Sequence, residues 1–130
     1  MADGMTRALK LLGPLEGRIM REVWRGRGLP EPFTVRDMRE RMPELAHTTV
    51  MTTLNRLADK GLLDERKVPG VRGHVYRART TPDAFVATSG QREVQKVIRR
   101  FGDAALAAFA DHLDTLTPAE RERLRQLGGR

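Results

Sequence analysis

Cysteine is absent from the 130 residues. That excludes disulfides, thiolate metal sites and cysteine nucleophiles, and it favours a reducing interior. No apolar run approaches the roughly 20 residues of a membrane span, so no membrane partner is expected. The opening Met1-Ala2-Asp3-Gly4-Met5-Thr6-Arg7 lacks the long apolar stretch of a secretion signal, and a cytoplasmic protein is expected. Aromatic residues make up only 5% and apolar residues 39%, so any core is modest and rests on Leu, Val, Ile, Met and Ala, a palette that suits helices. There is no glycine-rich phosphate loop, nucleophile motif or carboxylate pair in acidity-shifting surroundings, and an enzyme is not expected. His47, His74 and His112 lie far apart without a ligand-spaced partner, so neither a metal nor a cofactor is expected.

Positive charge is what the sequence has in excess. Lys and Arg number 24 against 17 Asp and Glu, a net of +7. The excess is uneven: residues 1–80 hold 16 basic and 10 acidic side chains, a net of +6, and residues 81–130 hold 8 and 7, a net of +1. The run from Arg66 to Arg79 contains Arg66, Lys67, Arg72, Arg77 and Arg79 and no acid. Phosphate is the natural partner of such a cluster.

Periodicity then orders the chain. Leu12, Leu15, Ile19 and Val23 recur at helical spacing, with Met20 and Trp24 widening the stripe, and predict a helix over 14–25 with Pro14 in its first turn. After the Gly/Pro-rich loop 26–32, Thr34 and Asp37 form a cap for a second helix that Pro43 ends. A third helix, about 48–60, buries Val50, Leu54 and Leu57 and stops at Gly61. Beyond it the period changes to two over 62–67 and 74–79, on either side of the turn-rich Val68-Pro69-Gly70-Val71-Arg72-Gly73. Three short helices and a two-stranded ribbon make a winged helix-turn-helix arrangement. The fold class expected is mainly α with a small β-hairpin: a winged-helix domain over 1–80, then a helical domain over 81–130.

The second part carries two apolar stripes, Val94, Val97, Ile98 and Phe101, and Leu106, Phe109, Leu113 and Leu116, with alanines between that allow close approach. The Ser89-Gly90 pair is a place for the first helix to bend or split. Thr117-Pro118-Ala119-Glu120 is a capping box for a last helix that stops at Gly128-Gly129. Fifty residues with two exposed stripes do not close a core alone, and a partner chain is expected.

On the third helix the face opposite Val50 holds Thr48, Thr52, Asn55, Arg56 and Asp59, with Thr49 and Met51 at its margins. Threonine hydroxyls and methyls, an asparagine able to bond adenine twice and an arginine able to bond guanine are the chemistry of base reading. Four threonines within six positions are poor helix formers, which suggests a use for them. Arg72 between Gly70 and Gly73 fits the minor groove or the backbone, and Arg66, Lys67, Arg77 and Arg79 lie along the wing. Charged strand edges that guard against aggregation are the competing reading of that wing. Trp24 and Tyr76 fit a place in the core between wing and helices better than base stacking. A winged-helix protein-interaction module and a low-specificity architectural DNA-binding protein stay open beside sequence-specific readout.

Leu12-Gly13-Pro14-Leu15-Glu16, then Phe33-Thr34-Val35-Arg36-Asp37, then the run from Thr48 through Arg56-Leu57-Ala58-Asp59-Lys60-Gly61-Leu62 resemble the penicillinase-repressor (BlaI/MecI) family of winged-helix transcriptional repressors. Phe101-Gly102 and Leu116-Thr117-Pro118-Ala119-Glu120 resemble its dimerisation region more loosely. The resemblance implies a homodimer on a palindromic, double-stranded operator, joined through the C-terminal helices. It places the base-reading helix on Thr48, Thr49, Met51, Thr52, Asn55 and Arg56 and the wing around Arg72. His47 stands where many relatives carry an aromatic residue, at the point where the helix start meets the backbone. A chain without cysteine lacks the motif of the copper-responsive branch. Near Arg99-Arg100-Phe101 there is no recognisable cleavage signal of the β-lactam-responsive branch, so the inducer, an inactivating protease or another trigger, stays open.

Overall fold

The computed structural model describes residues 3–128. Its elements in chain order are α1 (Gly4–Lys10), α2 (Pro14–Arg25), β1 (Phe33–Thr34), α3 (Val35–Arg41), α4 (His47–Asp59), β2 (Leu63–Lys67), β3 (His74–Ala78), α5 (Pro82–Phe101), α6 (Asp103–Asp114) and α7 (Pro118–Gly128). Packing divides the chain into two compact units between Thr88 and Ser89.

In the first unit local chemistry sets the helix ends. Pro14 opens α2, and Glu16 reaches back to accept the Gly13 N–H at 3.1 Å, which satisfies one of the donors a helix start leaves unpaired. Thr34 and Asp37 cap α3 reciprocally: the Asp37 N–H donates to Thr34 Oγ1 at 3.1 Å and the Thr34 N–H to Asp37 Oδ2 at 2.8 Å. Gly61, at φ +80°, supplies the left-handed turn that leads from α4 into β2, where a side chain would be strained. Helix α1 has no counterpart in the periodicity. It is seven residues long, too short for a stripe, and is held by its Asp3 cap and by burial of Ala8.

The hairpin becomes a three-stranded antiparallel sheet of order β1-β3-β2. Two residues are too few to reveal a strand by alternation, so β1 was invisible until paired. It aligns Phe33 with Tyr76 and Thr34 with Val75. Across the hairpin Glu65 faces Tyr76 and Asp64 faces Arg77. The core joins Ile19 and Met20 of α2, Met38 of α3, Val50, Leu54 and Leu57 of α4, Leu62, Leu63 and the Phe33–Tyr76 pair, whose rings stack 5.9 Å apart. Trp24 lies half-buried at its edge, with Nε1 donating to the Thr80 carbonyl at 2.9 Å and its ring 6.3 Å from that of Phe85 on α5. An ion pair ties α2 to the end of α4, with Lys60 Nζ at 2.9 and 2.8 Å from the two Glu16 oxygens. Burial pushes the Glu16 carboxyl up, but Lys60 and the Gly13 N–H outweigh it, and the group sits below the ordinary glutamate range.

The second unit holds most of α5 together with α6 and α7. Of the bend or split expected at Ser89-Gly90, the split does not occur: α5 runs as one helix from Pro82 to Phe101. A single glycine costs a helix about 1 kcal/mol, which twenty residues absorb. The turn falls at Gly102, whose φ of +59° with ψ of −133° is a backbone conformation that glycine reaches and other residues rarely do. Thr117 and Glu120 cap α7 reciprocally at 3.0 and 3.1 Å. The expected stop at Gly129 lies outside the described residues. Among the described residues of this unit, Ala105 is the buried apolar one.

Candidate nucleic-acid interface

Helix α4 presents two faces. Val50, Leu54 and Leu57 are fully buried. His47, Thr48, Met51, Thr52 and Arg56 are exposed, and Thr49 and Asn55 are half-buried. The fourth threonine of the cluster differs from the rest: Thr53 is buried, and its hydroxyl donates to the Thr49 carbonyl one turn back at 2.8 Å. The helix start has Ala46 at its cap position without a side-chain bond, and no acid stands in the first turn, so its backbone donors face outward unneutralised.

The wing is less uniformly basic than its sequence. Arg77 and Arg79 each approach Asp64 on the neighbouring strand at 3.8 Å, pairing that a count along β3 alone misses. Among the described residues, Arg66, Lys67 and Arg72 are exposed and take part in no ion pair.

Between α3, α4 and the hairpin lies a cleft of about 840 Å³. It brings together four of the residues marked in the sequence, His47, Met51, Asn55 and Arg72. Thr48, Thr49, Thr52, Arg56, Arg66, Lys67 and Arg77 lie outside it. It also enlists Arg36 and Arg39 of α3, and Glu65, His74 and Tyr76 of the sheet, none of which sequence reasoning placed at a site. Arg36 and Arg39 stand three residues apart on α3, and that shared-face spacing was the signal for them. Glu65 was hidden by its charge, since it is an acid in an otherwise basic wall.

At the floor of the cleft the Tyr76 hydroxyl donates to Asn55 Oδ1 at 3.0 Å and lies 3.2 Å from Glu65 Oε2. His74 Nδ1 meets the same Glu65 oxygen at 2.6 Å. Burial, followed by the Glu65 charge and hydrogen bond, pushes the Tyr76 phenol up to about 12, so its proton stays in place at neutral pH.

A helix-turn-helix pair, a polar-faced second helix and a basic hairpin packed beside it define a winged-helix module. The family model described as penicillinase repressor matches residues 12–128, and the chain belongs to that family. It is also 39% identical over 82 residues to the transcriptional regulator BlaI of two Mycobacterium tuberculosis strains, CDC 1551 / Oshkosh and ATCC 25618 / H37Rv. That match covers 61% of this chain and 56% of each relative, so it spans little more than half of their length. Repression and regulation, not catalysis, are what these descriptions name. Among the described residues no helix is long and apolar enough to cross a membrane.

Proposed function

We propose that the protein is a sequence-specific DNA-binding transcriptional repressor that acts as a homodimer on a palindromic operator. The observation that carries this reading is the exposed polar face of α4, with Thr48, Thr52 and Arg56 open to the major groove beside a hairpin whose Arg66, Lys67 and Arg72 are unpaired among the described residues. Thr49, Met51 and Asn55 border that face, His47 and the free N–H groups of the α4 start meet a phosphate, and Arg77 is held by Asp64 at the wing's base. The family membership and the regulator names of its relatives support the same reading.

The second unit, with the start of α5, supplies dimerisation. Phe101 and Leu106 are 55% and 52% exposed, and Val94, Val97, Phe109 and Leu113 are also open, with Ile98 and Leu116 half-buried beside them. Apolar area on this scale is what a second copy of the same chain covers. Two copies then place two α4 helices in successive major grooves about one helical turn apart, and the bound dimer blocks the polymerase. Action on chromosomal DNA puts the protein in the cytoplasm.

Selection of bound genomic fragments followed by sequencing tests the reading. A shared inverted repeat is expected. Fragments with no common sequence, or no salt-sensitive binding at all, would leave an architectural protein or a protein-interaction module in its place.

A further inference from the structure

The buried hydroxyl under the recognition helix bears on how that helix reads a base. Tyr76 is 2% exposed and fixed by its stack on Phe33, so its hydroxyl has little freedom to move. That hydroxyl has one proton and two acceptors near it, Asn55 Oδ1 at 3.0 Å and Glu65 Oε2 at 3.2 Å. The Glu65 oxygen is already engaged by His74 Nδ1 at 2.6 Å, and the shorter contact of Tyr76 is the one to Asn55. An amide oxygen has two lone pairs, but one turned inward onto the hydroxyl of a buried tyrosine leaves the two N–H donors on the outward side of the amide.

The geometry points to Tyr76 as a positioning residue: its hydroxyl holds Oδ1 of Asn55, so that Asn55 offers DNA its amide N–H groups and not its carbonyl. This rests on the repressor reading. It narrows what α4 recognises at that point. Two-bond reading of adenine needs the carbonyl as well as the amide; a donor alone meets two acceptors on guanine, O6 and N7, and one on thymine, O4, whereas on adenine it meets N7 only beside the N6 donor, so guanine or thymine is favoured. The bond from Tyr76 also ties the wing to the reading helix, so a residue that never touches DNA sets a base preference.

Binding selection from randomised DNA, with wild type, Asn55→Ala, Tyr76→Phe, Asn55→Asp and Glu65→Gln, tests the assignment. Wild type is expected to prefer guanine or thymine at one position per half-site. Asn55→Ala and Tyr76→Phe should both lose about tenfold of that preference and keep the preferences at other positions, which a general loss of structure would not spare. Glu65→Gln should retain it. Asn55→Asp leaves the core intact, keeps an acceptor for Tyr76 and presents an oxygen to the DNA, so its preference should turn to a donor base, cytosine or adenine. The assignment is overturned if wild type selects adenine there, if folded Tyr76→Phe keeps the wild-type preference, or if Asn55→Asp does not change it. A wild type that selects an inverted repeat while Tyr76→Phe selects the same one sinks this assignment alone. A wild type without any preference sinks the repressor reading with it.

Discussion

The two units of the chain spend their apolar residues in opposite ways. In the first, Ile19, Met20, Met38, Val50, Leu54 and Leu57 close on each other and on the Phe33–Tyr76 pair, and the face left outside is polar and basic. In the second, residues of the same types, Phe101, Leu106, Phe109 and Leu113, stay exposed on helices that bury little beyond Ala105. Composition alone does not distinguish them. What separates them is the sheet, because β1, β2 and β3 give α2, α3 and α4 a surface to cover, while α6, α7 and the part of α5 beyond Thr88 have only each other. A unit that closes on itself has its own core; under the proposed function the open one is completed by association.

The sharpest way to break that contrast is to charge the open unit. Leu113→Asp should raise the dimer dissociation constant about a thousandfold, roughly 4 kcal/mol, and yield monomers in light scattering with the thermal transition of the winged-helix unit preserved. An unchanged dimer would move the interface elsewhere. Next in size, Leu54→Ala in the closed unit should cost about 3 kcal/mol by urea denaturation, whereas Leu106→Ala should leave the stability of that unit within 0.5 kcal/mol, roughly the scatter of surface substitutions.

Smaller effects probe the polar face. Thr52→Ala should reduce discrimination between operator and random DNA by about 1 kcal/mol. Arg72→Ala should weaken binding to both alike and lower the slope of log affinity on log salt by about 1, measured by gel shift at several salt concentrations. Equal loss on both DNAs for Thr52→Ala would remove that residue from base reading.

The smallest effect is acid-dependent. The Glu16 carboxyl is lowered in the folded protein, so its pairing with Lys60 stabilises fully above the ordinary glutamate value of about 4.5 and is lost as pH falls through the folded value below it. Wild type should lose up to about 1 kcal/mol more than Lys60→Met between pH 6 and 3, read from urea midpoints. Parallel profiles would show that the pair contributes nothing to folding.

Local signals were legible in the sequence, and contacts made at a distance were not. Helix 14–25 could be read to the residue because Pro14 and the Gly26 loop mark its ends, and the Thr34–Asp37 cap because both partners lie within one turn. The α4 face was visible for the same reason: helical geometry alone sets Thr48, Thr52 and Arg56 opposite Val50. Strand β1 was hidden because its partner lies some forty residues on, and the cleft because Arg36, Glu65 and Tyr76 converge only through that pairing. Asp64 lies next to the predicted basic cluster in sequence and across a strand from it in space, so a run of arginines looked freer than it is.

Thr52 and Thr53 are neighbours of one type, yet they answer to different constraints. The Thr53 hydroxyl is satisfied inside its own helix and the side chain is buried, so over generations that position can drift toward valine at the expense of one local bond, whatever the operator. Thr52 faces outward, and under the proposed readout it can change only in step with a base pair. Among related repressors with different operators, the position of Thr53 should vary with the core around it and that of Thr52 with the DNA.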